Sequence, residues 1–154
     1  MKINVMSQET IEYASAAFHD RTAIISVSNP EARIVDFPRN DNIVAVLYLS
    51  FADTSDEGPE SFNASHAEEI RDFLQDVMGR IDRLIVQCEF GVSRSAGIAA
   101  AIMKTLSCDD SAIFNDPWFV PNMLCYRLTY DALHDDEGHS VLGEEKCEFR
   151  DNLL

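Results

Sequence analysis

The chain has 154 residues, 46% of them hydrophobic and 25% charged, a composition that favours one globular domain over 1–154 and excludes a disordered or low-complexity chain. Its 27 acidic and 12 basic residues give a formal net charge of −15, so we expect neither nucleic acid nor a membrane surface among its partners. The apolar runs are too short to cross a bilayer and the first residues do not resemble a signal peptide. We therefore expect a soluble cytoplasmic protein whose four cysteines are mostly reduced.

Strands and helices alternate in the first half of the chain. Residues 2–6 form a predicted edge strand, and the apolar spacing after Ser7 predicts a helix. The runs 22–27 and 43–49 are β-branched and almost continuously apolar, so both are predicted to be central strands buried on two faces. The acidic stretch 53–63, which contains a glycine and a proline, is predicted to be a loop.

The second half of the chain continues the alternation. Its predicted elements are a helix over 65–78, a strand over 83–88, and helices over 94–106, 109–115 and 121–134. Residues 135–154 are acidic and weakly patterned, which predicts a loosely packed tail. The whole order predicts an α/β fold with a central, largely parallel sheet flanked by helices.

Cys88 and Arg94 bound the segment that carries the candidate chemistry. Cys88 ends a predicted buried strand and Arg94 begins a predicted helix, so the chain must turn within a few residues. Such a loop directs backbone N–H groups inward, and the helix N-terminus adds partial positive charge there. This arrangement predicts a site that stabilises a Cys88 thiolate and, with the Arg94 guanidinium, a tetrahedral oxyanion. The residues expected to bind this oxyanion are Glu89, Phe90, Gly91, Val92, Ser93 and Arg94.

Ser95 supplies a hydroxyl that either donates to the Cys88 sulfur or caps the helix. A cysteine and an arginine at this spacing also occur by chance, and a buried cysteine is more often inert than reactive. The run of small apolar residues at 96–103 favours the functional interpretation, because a helix of this composition must lie in the core and hold the loop in place.

The segment from Cys88 to Ser95 resembles the Cys-x5-Arg-Ser/Thr loop of the cysteine-dependent protein tyrosine phosphatase superfamily, in particular its small dual-specificity branch. The resemblance covers about residues 24–133 and includes the Pro121-Asn122 step before the last helix. It implies a phosphocysteine on Cys88, phosphate binding by Arg94 and assistance from Ser95 in phosphate release. It also implies that Asn122 supports the loop, although an ordinary helix start explains this residue equally well.

Two features depart from the family pattern. Gln87 stands where the family usually has a histidine, which implies a working nucleophile with a less strongly stabilised thiolate. The tryptophan-led acid loop of the large tyrosine phosphatase domains is missing, which agrees with the small size of the chain.

The general acid is expected on the loop after the strand at 43–49. Asp53 lies closest to that strand and is the preferred candidate, with Asp56 as the alternative. Asp116, next to Pro117, is a weaker candidate because its position in the chain does not match the acid of the low-molecular-weight phosphatases that it resembles.

The predicted function is hydrolysis of a phosphomonoester, most simply on phosphotyrosine or on a dual-specificity protein substrate, with a small phosphomonoester as the other substrate class. The mechanism implies no cofactor, and the histidines lack the spacing of metal ligands. A rhodanese-type sulfurtransferase, an arsenate reductase and a catalytically dead phospho-binding module remain alternatives. The reductase would need a resolving cysteine, and the loop contains no second one.

Overall fold

The computed structural model describes residues 1–151, which form a five-stranded parallel sheet with helices packed on its faces. The strands are β1 (Lys2–Ser7), β2 (Thr22–Ser28), β3 (Ile43–Ser50), β4 (Arg83–Cys88) and β5 (Glu148–Phe149). The helices are α1 (Gln8–Ala14), α2 (Ala64–Val77), α3 (Arg94–Thr105), α4 (Ser111–Phe114) and α5 (Met123–Ala132), and a short 3-10 turn, Ser15–Ala17, follows α1. The predicted single-domain α/β fold is confirmed. No helix within residues 1–151 is long and apolar enough to span a membrane.

The strand order β3-β2-β4-β1-β5 places β4 at the centre of the sheet. All pairings around it are parallel, so the carboxyl ends of the strands lie along one edge. Because β4 ends at Cys88, the candidate nucleophile lies at the middle of that edge, where ligands bind in open α/β sheets.

Two sequence predictions about the sheet were wrong. β3 is an edge strand rather than a central one, and Val44 and Tyr48 are 42% and 43% exposed. On one face, Ile43 and Val46 pack against the cluster that contains the buried Val35, from the irregular segment before β3. On the other face, Leu47 and Leu49 pack in the larger cluster. β1 is not an edge strand, because β5 pairs with its outer side.

The two faces of the sheet carry two separate apolar clusters. Ile24 and Ile85 face α1 and form the smaller cluster, whereas Ile25 and Val86, one residue later in each strand, contribute to the larger one. This alternation follows from the two-residue period of a strand. The larger cluster includes residues of α2, α3 and α5, so α3 lies between the sheet and the rest of the core, and every residue of α3 except Lys104 is buried.

The described part of the predicted tail, 135–151, contacts the body of the protein. Leu142 and Phe149 pack against the larger cluster, and β5 extends the sheet. Cys108, just after α3, forms a disulfide with Cys147, with 5.9 Å between the two Cα atoms. The expectation of mostly reduced cysteines therefore fails for this pair, while Cys88 and Cys125 are free thiols. Residues 152–154 of the predicted tail lie outside the described residues.

Candidate active site

The Cys–Arg loop, residues 88–94, connects the end of β4 to the start of α3 and needs a glycine at its midpoint. Gly91 has φ of +65°, in the left-handed region that favours glycine. A Cβ there would lie 2.7 Å from both the Met6 carbonyl carbon and the Ser7 nitrogen. The loop therefore lies directly against the end of β1, which fixes its path.

Cys88 lies at the base of this loop and is 2% exposed. Its Sγ is 2.9 Å from the Ser95 Oγ, and Ser95 lies in the first turn of α3. The N-terminus of the helix and a hydroxyl group thus meet at the sulfur. The predicted contact between Cys88 and Ser95 is present.

Arg94 is buried, with 3% of its surface exposed, and part of its hydrogen-bonding capacity is unused. One terminal nitrogen donates to the Phe51 carbonyl at 2.9 Å, which anchors the guanidinium at the start of the loop that follows β3 and carries Asp53. The buried Nε has no hydrogen-bond partner among the described residues. A buried guanidinium with an unmatched N–H is suited to bind an oxyanion.

Asp53 links the loop after β3 to the Cys–Arg loop and to the start of α5. Its Oδ1 accepts hydrogen bonds from the Ser93 Oγ and from the Asn122 Nδ2, each at 2.9 Å. Asn122 also donates to the Thr54 carbonyl at 3.0 Å, and its Oδ1 accepts from the Cys125 N–H at 3.0 Å at the start of α5. Asn122 is therefore a helix cap whose side chain also holds the loop after β3. Its contact with the Cys–Arg loop, which the resemblance expects it to support, is made by its backbone N–H, which donates to the Ser93 carbonyl at 2.9 Å.

The other two acidic candidates lie in different surroundings. Asp56 is exposed, and its backbone N–H, rather than its carboxylate, bonds to the Thr54 Oγ1 at 3.2 Å. Asp116 accepts a hydrogen bond from the Trp118 N–H at 2.9 Å and lines a groove that reaches Gly91. Of the three, only Asp53 hydrogen-bonds a side chain of the Cys–Arg loop in the described part of the structure.

Gln87 and Glu89, on either side of Cys88, are held by polar partners that the sequence did not indicate. The buried Gln87 Oε1 accepts from the Ser26 Oγ at 2.6 Å, so its bond is to the neighbouring strand β2. The Glu89 Oε2 accepts from the Asn29 Nδ2 at 2.7 Å. Ser26 and Asn29 carry no motif, and their roles follow only from the pairing of β2 with β4.

Cys125 lies close enough to the site for its titration to be affected by Asp53 and Arg94. Burial, and then the negative charge of Asp53, raise the pKa of this thiol far above its ordinary value. Cys125 therefore stays protonated at neutral pH and is not a competing nucleophile. Among residues 1–151, no group of three or more histidine, cysteine or acidic side chains is arranged to hold a metal ion.

No protein-family model and no curated protein matches the sequence. A solved structure that resembles it is the crystal structure of human tyrosine phosphatase-like serine/threonine/tyrosine-interacting protein. The two chains are 20% identical over 80% of each, with a TM-score of 0.49. At this level of similarity, no residue role is transferred to the present chain.

Proposed function

We propose that the chain is a cysteine-dependent phosphatase of the small dual-specificity type, which hydrolyses a phosphomonoester on a protein or on a small molecule. The observation that carries the proposal is the buried Arg94, whose Nε lacks a partner within residues 1–151, on the same short loop as a Cys88 thiol that contacts Ser95. An anion site beside a nucleophile at a helix N-terminus is what transfer of a phosphoryl group to sulfur requires.

In the first step, the Cys88 sulfur attacks phosphorus while the bond to the leaving oxygen breaks. The backbone N–H groups of the loop and the Arg94 guanidinium stabilise the phosphoryl oxygens throughout, so the charge stabilisation needs no metal ion. Asp53 protonates the leaving oxygen. Because the Asp53 Oδ1 is occupied by Ser93 and Asn122, the other carboxyl oxygen carries this proton.

In the second step, water hydrolyses the phosphocysteine. The Asp53 carboxylate formed in the first step takes a proton from the water, which attacks phosphorus and releases inorganic phosphate. Ser95 donates its hydroxyl hydrogen to the departing sulfur, for which its 2.9 Å contact is suited. The reaction requires a free Cys88 thiol, and the structure has one alongside the oxidised Cys108–Cys147 pair.

The test is hydrolysis of para-nitrophenyl phosphate with and without millimolar EDTA. We expect turnover that EDTA leaves intact, that Cys88→Ser abolishes, and that Arg94→Lys nearly abolishes because an ammonium lacks the planar bidentate fork. Cys125→Ser is the matched control, since it removes the other free thiol, which stays protonated, and it should retain turnover. Rapid quenching followed by mass spectrometry should detect phosphate on Cys88.

The rival functions predict different results in the same experiment. A phospho-binding module would bind phosphate without turnover, and a rhodanese-type enzyme would transfer sulfur from thiosulfate through Cys88. Loss of turnover on chelation, or full turnover by Cys88→Ser, would contradict the proposed mechanism.

A further inference from the structure

A groove of about 610 Å³ lies beside the Cys–Arg loop, between the start of α1 and two aromatic rings. The rings belong to Phe90 and Trp118, which are 69% and 65% exposed. Phe90 is part of the loop, and the Gln8 N–H at the start of α1 donates to the Glu89 carbonyl at 3.0 Å. The groove therefore adjoins the Cys–Arg loop and shares Glu89 and Phe90 with it.

The groove is negatively charged as well as aromatic. Glu9, Glu12 and Glu89 line it. Arg33 forms an ion pair with Glu12, and the neutral Asn29 amide orients the Glu89 carboxylate at 2.7 Å without cancelling its charge. The exposed Glu9 has no ion-pair partner among residues 1–151. Three carboxylates against one guanidinium leave an excess of negative charge beside two exposed rings.

We propose that this groove binds a Lys or Arg side chain next to the phosphorylated residue of a protein substrate. The inference rests on the proposed phosphatase function and specifies its substrate class. Aromatic faces and carboxylates together attract a cation, through cation–π contact on the rings and ionic contact at the rim. The net charge of −15 acts in the same direction over longer distances.

Other occupants fit this groove less well. An acidic flanking side chain would be repelled by the carboxylates. An apolar side chain would cover the rings but desolvate the carboxylates without pairing them, which costs free energy. Only a basic side chain both pairs with the carboxylates and contacts the faces of the aromatic rings. The groove would thereby select phosphorylation sites in basic sequence context, independently of the phosphate site.

The experiment uses phosphotyrosyl peptides that differ at one flanking position, which is occupied by Arg, Gln or Glu. A separate set of three peptides tests each position from three residues before the phosphotyrosine to three residues after it. We expect kcat/KM for Arg to exceed that for Gln by about tenfold at one or more positions, and Glu to be the poorest. Glu9→Gln and Trp118→Ala should each lower the Arg-to-Gln ratio about three- to fivefold. Glu68→Gln, which removes an exposed carboxylate on α2, should leave the ratio unchanged.

The affinities of Cys88→Ser protein for the same peptides provide a readout that does not depend on turnover. Tighter binding of Arg peptides without any turnover by the native chain would support the groove and contradict the proposed function. Turnover with no preference for Arg in either readout would contradict the groove and leave the proposed function standing. A preference that survives both Glu9→Gln and Trp118→Ala would also overturn the assignment.

Discussion

Asp53 is the residue whose placement most constrains the proposed chemistry. Two donors from different elements, Ser93 on the Cys–Arg loop and Asn122 at the start of α5, hold the same carboxyl oxygen at 2.9 Å. This arrangement orients the carboxyl group before substrate binds, which reduces the entropic cost of placing an acid at the leaving oxygen. Within residues 1–151 the Asp56 carboxylate has no such support, and the Asp56 hydrogen bond to Thr54 is made by its backbone N–H.

We expect Asp53→Asn to lower kcat/KM for a phosphotyrosyl peptide by about 10²–10⁴, because the amide keeps an acceptor oxygen but cannot give up a proton. The loss should be smaller with para-nitrophenyl phosphate, since nitrophenolate departs without a proton. The alkaline limb of the pH–rate profile of kcat/KM, where a required general acid loses its proton, should also disappear. Steady-state kinetics on both substrates measures these effects.

Asp56→Asn is the control on the same loop and should retain activity on both substrates. Equal losses on both substrates in Asp53→Asn would indicate that Asp53 only supports the loop. If Asp116→Asn instead shows the dependence on leaving group, Asp116 is the acid.

At the residue scale, the sequence predicted the site residues that lie in one short motif. It did not predict the hydrogen-bond partners that the fold brings to them from distant parts of the chain. Cys88, Arg94 and Ser95 lie close together in the chain, so their spacing predicted their proximity. The contact of Arg94 with the Phe51 carbonyl joins residues far apart in the chain, and it involves a backbone atom that any residue could supply. Such partners become visible only when strand pairing is known.

At the scale of elements, the site depends on close contact between α3 and α5. Gly97 of α3 faces the start of α5 so closely that a Cβ there would overlap the Asn122 carbonyl oxygen. The Asn122 N–H meanwhile donates to the Ser93 carbonyl at 2.9 Å, so α5 is attached to the loop at this point. The absence of a side chain at Gly97 therefore lets Asn122 reach Asp53.

Gly97→Ala should lower the free energy of unfolding by about 1–3 kcal/mol, because neither backbone can move apart without breaking contacts in the core. It should also lower activity, since displacing Asn122 displaces Asp53. Gly58→Ala is the matched control: its Cβ would meet nothing within 4 Å, and stability and activity should be retained. Urea unfolding and phosphatase assays on both variants test this, and wild-type stability in Gly97→Ala would contradict the packing.

The alternation of strands and helices could be predicted because each element has its own periodicity, whereas the lateral order of the strands could not. β3 is as apolar as β2, yet it lies at the edge, where an irregular segment containing Val35 covers part of it. β5 has only two residues, too few for a pattern, and its pairing with β1 depends on the path of the chain after α5. Local signals predict the elements, and distant contacts determine their order.

At the scale of the whole molecule, the Cys108–Cys147 disulfide joins the end of the α3 region to the segment before β5, across 39 residues. It holds the last strand on the sheet beside β1, whose end supports the Cys–Arg loop at Gly91. A cross-link over a chain segment of this length restricts the unfolded state considerably.

Replacing both Cys108 and Cys147 by alanine should therefore lower the free energy of unfolding by about 2–4 kcal/mol. A thiol reductant should lower the stability of the native chain by a similar amount and leave the double variant unaffected, which serves as the control. Urea unfolding with and without reductant measures both. A native chain that is insensitive to reductant, with its two cysteines found reduced by thiol labelling, would contradict the disulfide.

The net charge of −15 affects which substrates the protein accepts, through the whole molecule rather than through any single residue. The Cys–Arg loop contains Glu89 and no basic residue between Cys88 and Arg94. Apart from Arg94 itself, no side chain of the loop therefore offsets the negative electrostatic potential of the whole molecule. We expect an inositol polyphosphate to be turned over more slowly than a phosphotyrosyl peptide at physiological salt.

Raising the ionic strength should increase kcat/KM for the polyanion, because the Debye length shrinks from about 8 Å at 0.15 M to about 3 Å at 1 M and the repulsion is screened. The rate with para-nitrophenyl phosphate, a small substrate of low charge, should change much less and serves as the reference. Faster turnover of the polyanion at physiological salt would show that a local basic site overrides the overall charge.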